Sequence, residues 1–468
     1  MRKTISLFAI IVLFCSNVFA GDQFLKACLE VGENRDKKLL AAKEQVNAAS
    51  LRITRSGRAF LPGISLQRKT ARGKALRTLE NGEVQSDEYQ SEELGVRALQ
   101  PLYDGGRLRA SYRYDKLLRE NAKLNLTKTR QDLYYRIKTA YYEFLAARSE
   151  LKRLKDTFDD IQRLQQKSQL EFNVKAISDL DLQEGRNFRD KVENMYRSAK
   201  MNAELSEKKL LFTVDIKALD EIAAPFDIGS LAPPEDISYT HEEARRFVTT
   251  NNMDARTNLN MIEMNEQKKK ITSAKTLPKL YAEGYYGQSG EVFVTQPLSL
   301  TTAWSISGRV SWGLWGNSLE VSSAKDYANP QEIIDLSRRI DNTTNEIKLS
   351  LFDDLGYFVE QKESAIGIMT SKIEYRDSLN RAIYEFDKFY NEYQQSLWNA
   401  RTTKDEIRLR ERKLEVMRKR NELYEISTLE VMDGVYKYAE TVMSYMRSLA
   451  TNYLAVCEME RLTMLQLR

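Results

Sequence analysis

His241 is the single imidazole in a chain of 468 residues, so chemistry that needs a histidine base or ligand has one candidate. It lies just past Pro233-Pro234, and neither a Ser/His/Asp set nor a Cys/His metal spacing can be assembled around it. Cys28 and Cys457 are the only cysteines outside the N-terminal apolar run, too few for a disulfide framework. A bridge between these two ends is compatible with an oxidising compartment, and two separate buried thiols are the simpler alternative. Tyr141, Tyr142, Phe144, Tyr384, Phe386, Phe389, Tyr390 and Tyr393 resemble a ligand box, but aromatics at such spacings read as helix packing. No enzyme activity and no cofactor are expected. What remains is electrostatic: Glu430 and Asp433 stand three apart, hence on one face of a helix, and Asp179 and Asp181 form a second acidic pair.

These groups must be carried by unusual elements. Arg2 and Lys3, an apolar run from Ile5 to Phe14 and then Val18-Phe19-Ala20 form a secretory signal, with cleavage expected after Ala20. Cys15 follows Phe14 inside the apolar run, which argues against a lipoprotein signal. No later window offers the roughly 18 uninterrupted apolar residues of a membrane-spanning helix, so entry into a membrane would have to be as strands. The 72 basic and 67 acidic residues are mixed along the chain, and nothing points to nucleic acid.

Proline and glycine are absent from Arg107 to Glu184 and from Arg186 to Ala224, stretches far longer than a globular helix. Leu133, Ile137, Ala140, Phe144, Ala147, Leu151, Leu154, Phe158 and Ile161 advance by alternating fours and threes, as do Val431, Val435, Tyr438, Val442, Tyr445 and Leu449. Such a 3.5-residue repeat keeps one seam facing helical neighbours throughout its length, as in an ordinary long coiled coil. Strands are a second signal. Trp304, Ile306, Gly308, Val310, Trp312 and Leu314 alternate with Ser305, Ser307, Arg309 and Ser311, and Leu94, Val96 and Ala98 repeat the pattern less cleanly. Lipid suits that apolar face, although a soluble sandwich strand reads similarly.

The halves repeat one another. Leu61-Pro62 returns as Leu277-Pro278, Leu102-Tyr103-Asp104-Gly105-Gly106 as Leu314-Trp315-Gly316-Asn317-Ser318, and Ile177-Ser178-Asp179-Leu180 as Ile426-Ser427-Thr428-Leu429. The fold expected is mainly α with a β-barrel part, in a duplicated helix-strand-strand-helix repeat. The first repeat takes 21–214, with strands near 60–72 and 91–104 and a helical hairpin over 107–214. A linker covers 215–240. The second repeat takes 241–468, with strands near 277–290 and 301–315 and a hairpin over 319–468. Four strands cannot close a barrel, so copies must combine; three would give twelve strands. A helix from Arg107 to about Glu171 would measure roughly 100 Å and must project into water.

The strand end at Leu102–Arg107 and the two hairpin tips, Phe172–Gln183 and Ile426–Asp433, together resemble the TolC-like outer-membrane efflux proteins, the outer membrane factors, in order and in both repeats. The resemblance implies a homotrimer, with a twelve-stranded barrel in outer-membrane lipid above a coiled-coil tunnel of twelve helices in the periplasm. It implies the exit duct of a tripartite efflux pump or type I secretion system, docked through its tips to a periplasmic adaptor (membrane fusion) protein and an inner-membrane transporter. Lys175, Ile177, Ser178, Leu180, Ile426, Ser427 and Leu429 would make that docking surface. Glu430 and Asp433, with Asp181 and Asp179, would ring the periplasmic constriction, where threefold crowding favours cations and raises carboxylate pKa values. The alternative for such carboxylates is solvation at a helix start. Asp104, Gly105, Gly106, Gly316 and Asn317 would turn strand into helix.

Two departures stand out. The family has glycine in the tips where this chain has Lys175 and Tyr424, and Ile426 replaces a latching arginine, for which Lys175 and Arg186 are the nearest substitutes. There is also a surplus. Ile177 follows Tyr103 by 74 positions but Ile426 follows Trp315 by 111, and the extra 37 are expected between Phe358 and Leu397 as an excursion near the tunnel's waist. The rival architecture is a secreted coiled-coil scaffold or adhesin without a channel. A periplasmic adaptor would have one hairpin, not two matched repeats.

Overall fold

The computed structural model describes residues 23–78, 82–222, 236–294, 296–329 and 340–467. The signal segment and the middle of the 215–240 linker lie outside them. Helices α1 (23–35) and α2 (Lys37–Arg58) lead into strands β1 (Gly63–Thr78) and β2 (Val84–Asp104), then α3 (Arg107–Asn173) and α4 (Asp179–Val214). The second half has α5 (His241–Asn251), α6 (Met253–Ser273), β3 (Lys279–Phe293), β4 (Thr301–Leu314), β5 (Asn317–Ala328), β6 (Asp341–Ser350), α7 (Gly356–Glu422) and α8 (Thr428–Thr463). Contacts divide the chain into a helical unit (1–43, 124–256, 376–468) and a sheet unit (44–123, 257–375).

The duplication extends to single residues. Helices α3 and α7 each have 67 residues, and α4 and α8 each have 36. Both returning helices open on a capping box, Ser178 with Asp181 and Ser427 with Glu430, which satisfies two backbone donors reciprocally. Both end on a left-handed residue, Asp215 and Met464, each at φ 60°.

In the helical unit, the seam residues Leu133, Ile137, Ala140, Phe144, Ala147, Leu154 and Ile161 are all buried, with Leu151 and Phe158 partly so. Phe24, Leu39, Leu210 and Leu449 close around Ile137 and Phe144, while Val192, Leu414, Val431, Met432 and Val435 close around Ile161. Each such side chain contributes about 1.5–3 kcal/mol by leaving water. Of the eight aromatics assigned to packing, Tyr141, Phe144, Phe386 and Tyr393 are core, but Tyr384 is 71% exposed. Cys28 and Cys457 are buried thiols that share no disulfide, and burial pushes the Cys28 thiol up to about 12.

The sheet unit is an antiparallel meander in the order β1-β2-β3-β4-β5-β6. Its registers put one class of side chain on one face: Ile64 beside Ala98, Leu66 beside Val96, Val96 beside Tyr286, Tyr286 beside Trp304, and Leu280 beside Val310. The other face is polar, with Arg97 paired to Glu283 at 2.9 Å and Arg309 to Glu320 at 3.5 Å. Gly95 is required there because a Cβ would sit 2.5 Å from the Tyr285 ring that covers it.

Six strands among the described residues, not four, corrects the sequence reading and locates the surplus. No excursion interrupts α7 between Phe358 and Leu397; the extra residues form the β5–β6 hairpin. Trp315 and Gly316 (φ 46° and 90°) are the two central residues of a tight turn that closes β4 onto β5, with Leu314 opposite Asn317. Gly316 and Asn317 are therefore a strand-to-strand turn, not the expected strand-to-helix turn. That role falls to Leu351-Phe352-Asp353-Asp354 ahead of α7, and Ile426 follows Phe352 by the same 74 positions that separate Ile177 from Tyr103. Asn317 still serves it, since its Oδ1 accepts from the Phe352 backbone N–H at 2.9 Å.

Candidate functional site

The strand-to-helix turn of the first repeat shows how the sequence anchors a long helix. Asp104 Oδ2 accepts from the Leu108 backbone N–H at 2.8 Å, satisfying a donor that the first turn of α3 cannot. Gly105 and Gly106 follow at φ 68° and 83°. A Cβ on Gly105 would meet Leu277 Cβ at 2.8 Å and the Ala274 carbonyl oxygen at 2.9 Å, so only glycine fits.

At the other end of the long helices are the tips, both in the helical unit. Each turn has a left-handed residue, Lys175 at φ 63° and Tyr424 at φ 61°. In both tips a residue with a side chain takes this conformation, at a cost of about 1–2 kcal/mol. Val174, Lys175, Ser178, Asp179 and Leu180 are exposed in the first tip, and Leu423, Tyr424, Glu425, Ser427 and Glu430 in the second, while Ile177, Ile426 and Leu429 are half-buried.

The acidic candidates are engaged locally. Asp181 Oδ2 accepts from the Ser178 hydroxyl at 2.8 Å and its backbone N–H at 3.1 Å, and these bonds hold its carboxyl below the usual aspartate range. Glu430 Oε1 accepts the equivalent Ser427 bonds at 3.3 and 3.4 Å. Asp433 is paired with Lys437 at 2.6 Å, one turn on, and Asp179 accepts from Gln183 at 3.0 Å. Within one chain, Asp181 and Glu430 are thus helix caps.

Sequence reasoning missed the group that joins the tips. Thr428 Oγ1 donates to Glu171 at the end of α3 (2.8 and 2.9 Å to the two oxygens), and Asn421 Nδ2 donates to the Ile426 carbonyl at 3.0 Å and reaches Thr428 Oγ1 at 3.3 Å. Lys167 Nζ donates to Asn421 Oδ1 at 2.5 Å. Further along, Arg418 of α7 pairs with Asp160 of α3 at 3.1 Å. Thr428 and Asn421 are buried, and a buried polar pair with every bond made fixes one arrangement of the helices around it. The available signal was a break in the repeat: Thr428 stands where the first tip has Asp179, and Asn421 where it has Phe172. The suggested latch residues do not span the tips: Arg186 donates to Gln169 of its own hairpin at 3.0 Å, and Lys175 is exposed in its turn.

His241 is structural. Its Nε2 lies 2.9 Å from Asp387 Oδ1 and its ring packs 4.6 Å from that of Tyr390. Among the described residues no group of acidic, histidine or cysteine side chains could hold a metal ion, and no helix is long and apolar enough to cross a membrane.

Comparison with known proteins fits this architecture. Residues 31–210 match the family model described as Outer membrane efflux protein. Proteins of that family are channels, not enzymes. No curated protein matches the sequence. Solved structures do: the chain is similar to a membrane protein from Pseudomonas aeruginosa (TM-score 0.72, 12% identity, 94% of this chain and 90% of that one). It is similar also to the VceC outer membrane protein of Vibrio cholerae (0.71, 11%, 94% and 95%) and the CmeC outer membrane channel of Campylobacter jejuni (0.69, 14%, 94% and 85%). At such identities these likenesses establish the fold.

Proposed function

We propose that this chain is a TolC-like outer-membrane efflux protein and the passive exit duct of a tripartite efflux pump or type I secretion system, a reading supported by the family match over 31–210 and by the fold. The observation that carries this reading is the sheet: one continuous apolar face, one polar face, and an unpaired edge at each end. An open edge strands backbone donors and acceptors that lipid cannot satisfy, so a sheet of this kind enters a membrane only when copies complete a closed barrel.

The helices support the same assembly. Met201, Leu205 and Phe212 on α4, spaced four and seven, and Leu409 and Val416 on α7, spaced seven, with Leu423 seven further on in the tip turn, are large apolar side chains left in solvent at coiled-coil intervals. We read them as seams for neighbouring copies, giving a homotrimer whose helices form a periplasmic tunnel. Its tips, led by exposed Leu180, Leu423 and Tyr424 with Ile177, Ser178, Ile426, Ser427 and Leu429, would receive a periplasmic adaptor and an inner-membrane transporter. Glu430 and Asp433, brought together by the threefold axis, would set the charge of the inner mouth, with Asp179 and Asp181 beside them. The duct holds no cofactor in this reading; the transporter supplies the energy.

The test is extraction from outer membranes in detergent, followed by addition to a planar lipid bilayer. A heat-labile trimer that conducts ions is expected. A stable monomer without current would overturn the proposal and favour a scaffold that washes off as a soluble rod.

A further inference from the structure

The β5–β6 hairpin changes which strands are available to close a barrel. Strand β4 pairs with β3 over Thr301–Ser311 on one side and with β5 over Ala303–Leu314 on the other. Its backbone groups facing β5 are spent, so β4 has no edge to offer another copy. The hairpin is part of the wall and not a loop laid over it. Trp312 stands beside Leu319 and Leu319 beside Leu349, while Val310 stands beside Val321 and Val321 beside Ile347, which extends the apolar face by two strands. Trp304 stacks on Tyr327 with centroids 5.9 Å apart. On the polar face Arg309 reaches Glu320, which lies opposite Lys348. Toward the loop end the outer face becomes polar, with Lys325 at 3.5 Å from Asp341, so the hairpin's apolar band lies at its helix-proximal end.

The two free edges are therefore β1 and β6. Five successive antiparallel pairings make these two strands run in opposite directions, so β6 of one copy can join β1 of the next in the antiparallel sense. An insertion of two strands preserves that sense; one strand would have abolished it. The exposed apolar side chains at these edges also match in position. Ile64 and Leu66 lie at the start of β1 and Ile347 and Leu349 at the end of β6, both at the helix-proximal end and all on the same face.

We propose that β6 pairs with β1 of a second copy of this chain, so that the trimer closes an eighteen-stranded barrel in place of the family's twelve. Because diameter grows roughly linearly with strand number, the outer-membrane exit is about half again as wide, in the range where barrels leave an open aqueous channel. This rests on the trimeric duct proposed above.

The test uses the full chain with paired cysteines on the polar face. Gln67→Cys in β1 is combined in turn with Thr344→Cys, Glu346→Cys or Lys348→Cys in β6, and separately with Ser305→Cys, Ser307→Cys or Arg309→Cys in β4. Native Cys28 and Cys457 are buried and give little background. After mild oxidation, at least one β6 pair should yield disulfide-linked oligomers on denaturing gels, and no β4 pair should. Linkage of β1 to β4, or a conducting trimer in which no β6 position links to β1, overturns the inference and leaves the duct standing. Absence of trimer and current together refutes the duct itself. As a converse check, deleting Gly316–Phe352 restores the spacing of the first repeat and should transfer linkage to the β4 positions.

Discussion

Glu430 serves its own helix before it serves any mouth, because its carboxylate caps Ser427. Replacing it with alanine would remove a cap and a charge together, so selectivity is better probed with Glu430→Gln, which retains the capping box, combined with Asp433→Asn. If three copies crowd these carboxylates, the double variant should lower cation selectivity in bilayer recordings severalfold; an unchanged reversal potential removes them from the constriction. The Thr428 cluster makes a separate prediction. Thr428→Val keeps the shape but removes the hydroxyl that donates to Glu171, costing about 1–3 kcal/mol at the junction of the tips. Resting conductance should rise, and a closed-state conductance equal to that of the unaltered protein would reduce the cluster to packing. At Tyr424 the balance favours glycine: relief of a left-handed side chain, about 1–2 kcal/mol, exceeds the extra chain entropy that glycine loses, about 0.5–1 kcal/mol. Tyr424→Gly should therefore slow hydrogen exchange around the second tip, and faster exchange would contradict the strain.

Among the elements, α3 shows what sequence can and cannot specify. Its seam was legible because a 3.5-residue period has one physical outcome, and the residues it names are buried. Phe144→Ala should cost about 3–5 kcal/mol of helical-unit stability in chemical denaturation, because a fully buried ring leaves a cavity. Tyr384→Ala, from a position equally aromatic in sequence, should change it by less than about 0.5 kcal/mol; equal losses would mean that neighbouring copies bury Tyr384. Strand faces were legible for the same reason of period. The β5–β6 hairpin was missed although Leu351-Phe352-Asp353 matches Leu102-Tyr103-Asp104 better than Leu314-Trp315-Gly316 does, because β5 and β6 each alternate cleanly over only two apolar positions and give a weak strand signal. The tip cluster was hidden for another reason. Glu171 and Thr428 lie 257 residues apart, and nothing local in either segment announces the other.

At the scale of the whole molecule, the proposed assembly would cover large apolar side chains that one chain leaves in water and pair the β1 and β6 edges that are open among the described residues. Phe212 is 88% exposed although it lies on a helix whose opposite side is core, with Leu210 and Val214 fully buried. A protein that folds alone rarely leaves phenylalanine and leucine aligned in solvent along a helix, because each loses about 1.5–3 kcal/mol of available burial. Leu205→Glu with Phe212→Glu separates folding from assembly. The substitutions touch nothing buried within the chain, so circular dichroism should report the helical content of the unaltered protein. They would place charges in a seam between copies, where burial without a partner is prohibitive, so the trimer band and the bilayer current should both be lost. Should the doubly charged variant still form a heat-labile, conducting trimer, α4 does not face a neighbour, and the seam must be sought on α7 along Leu409 and Val416.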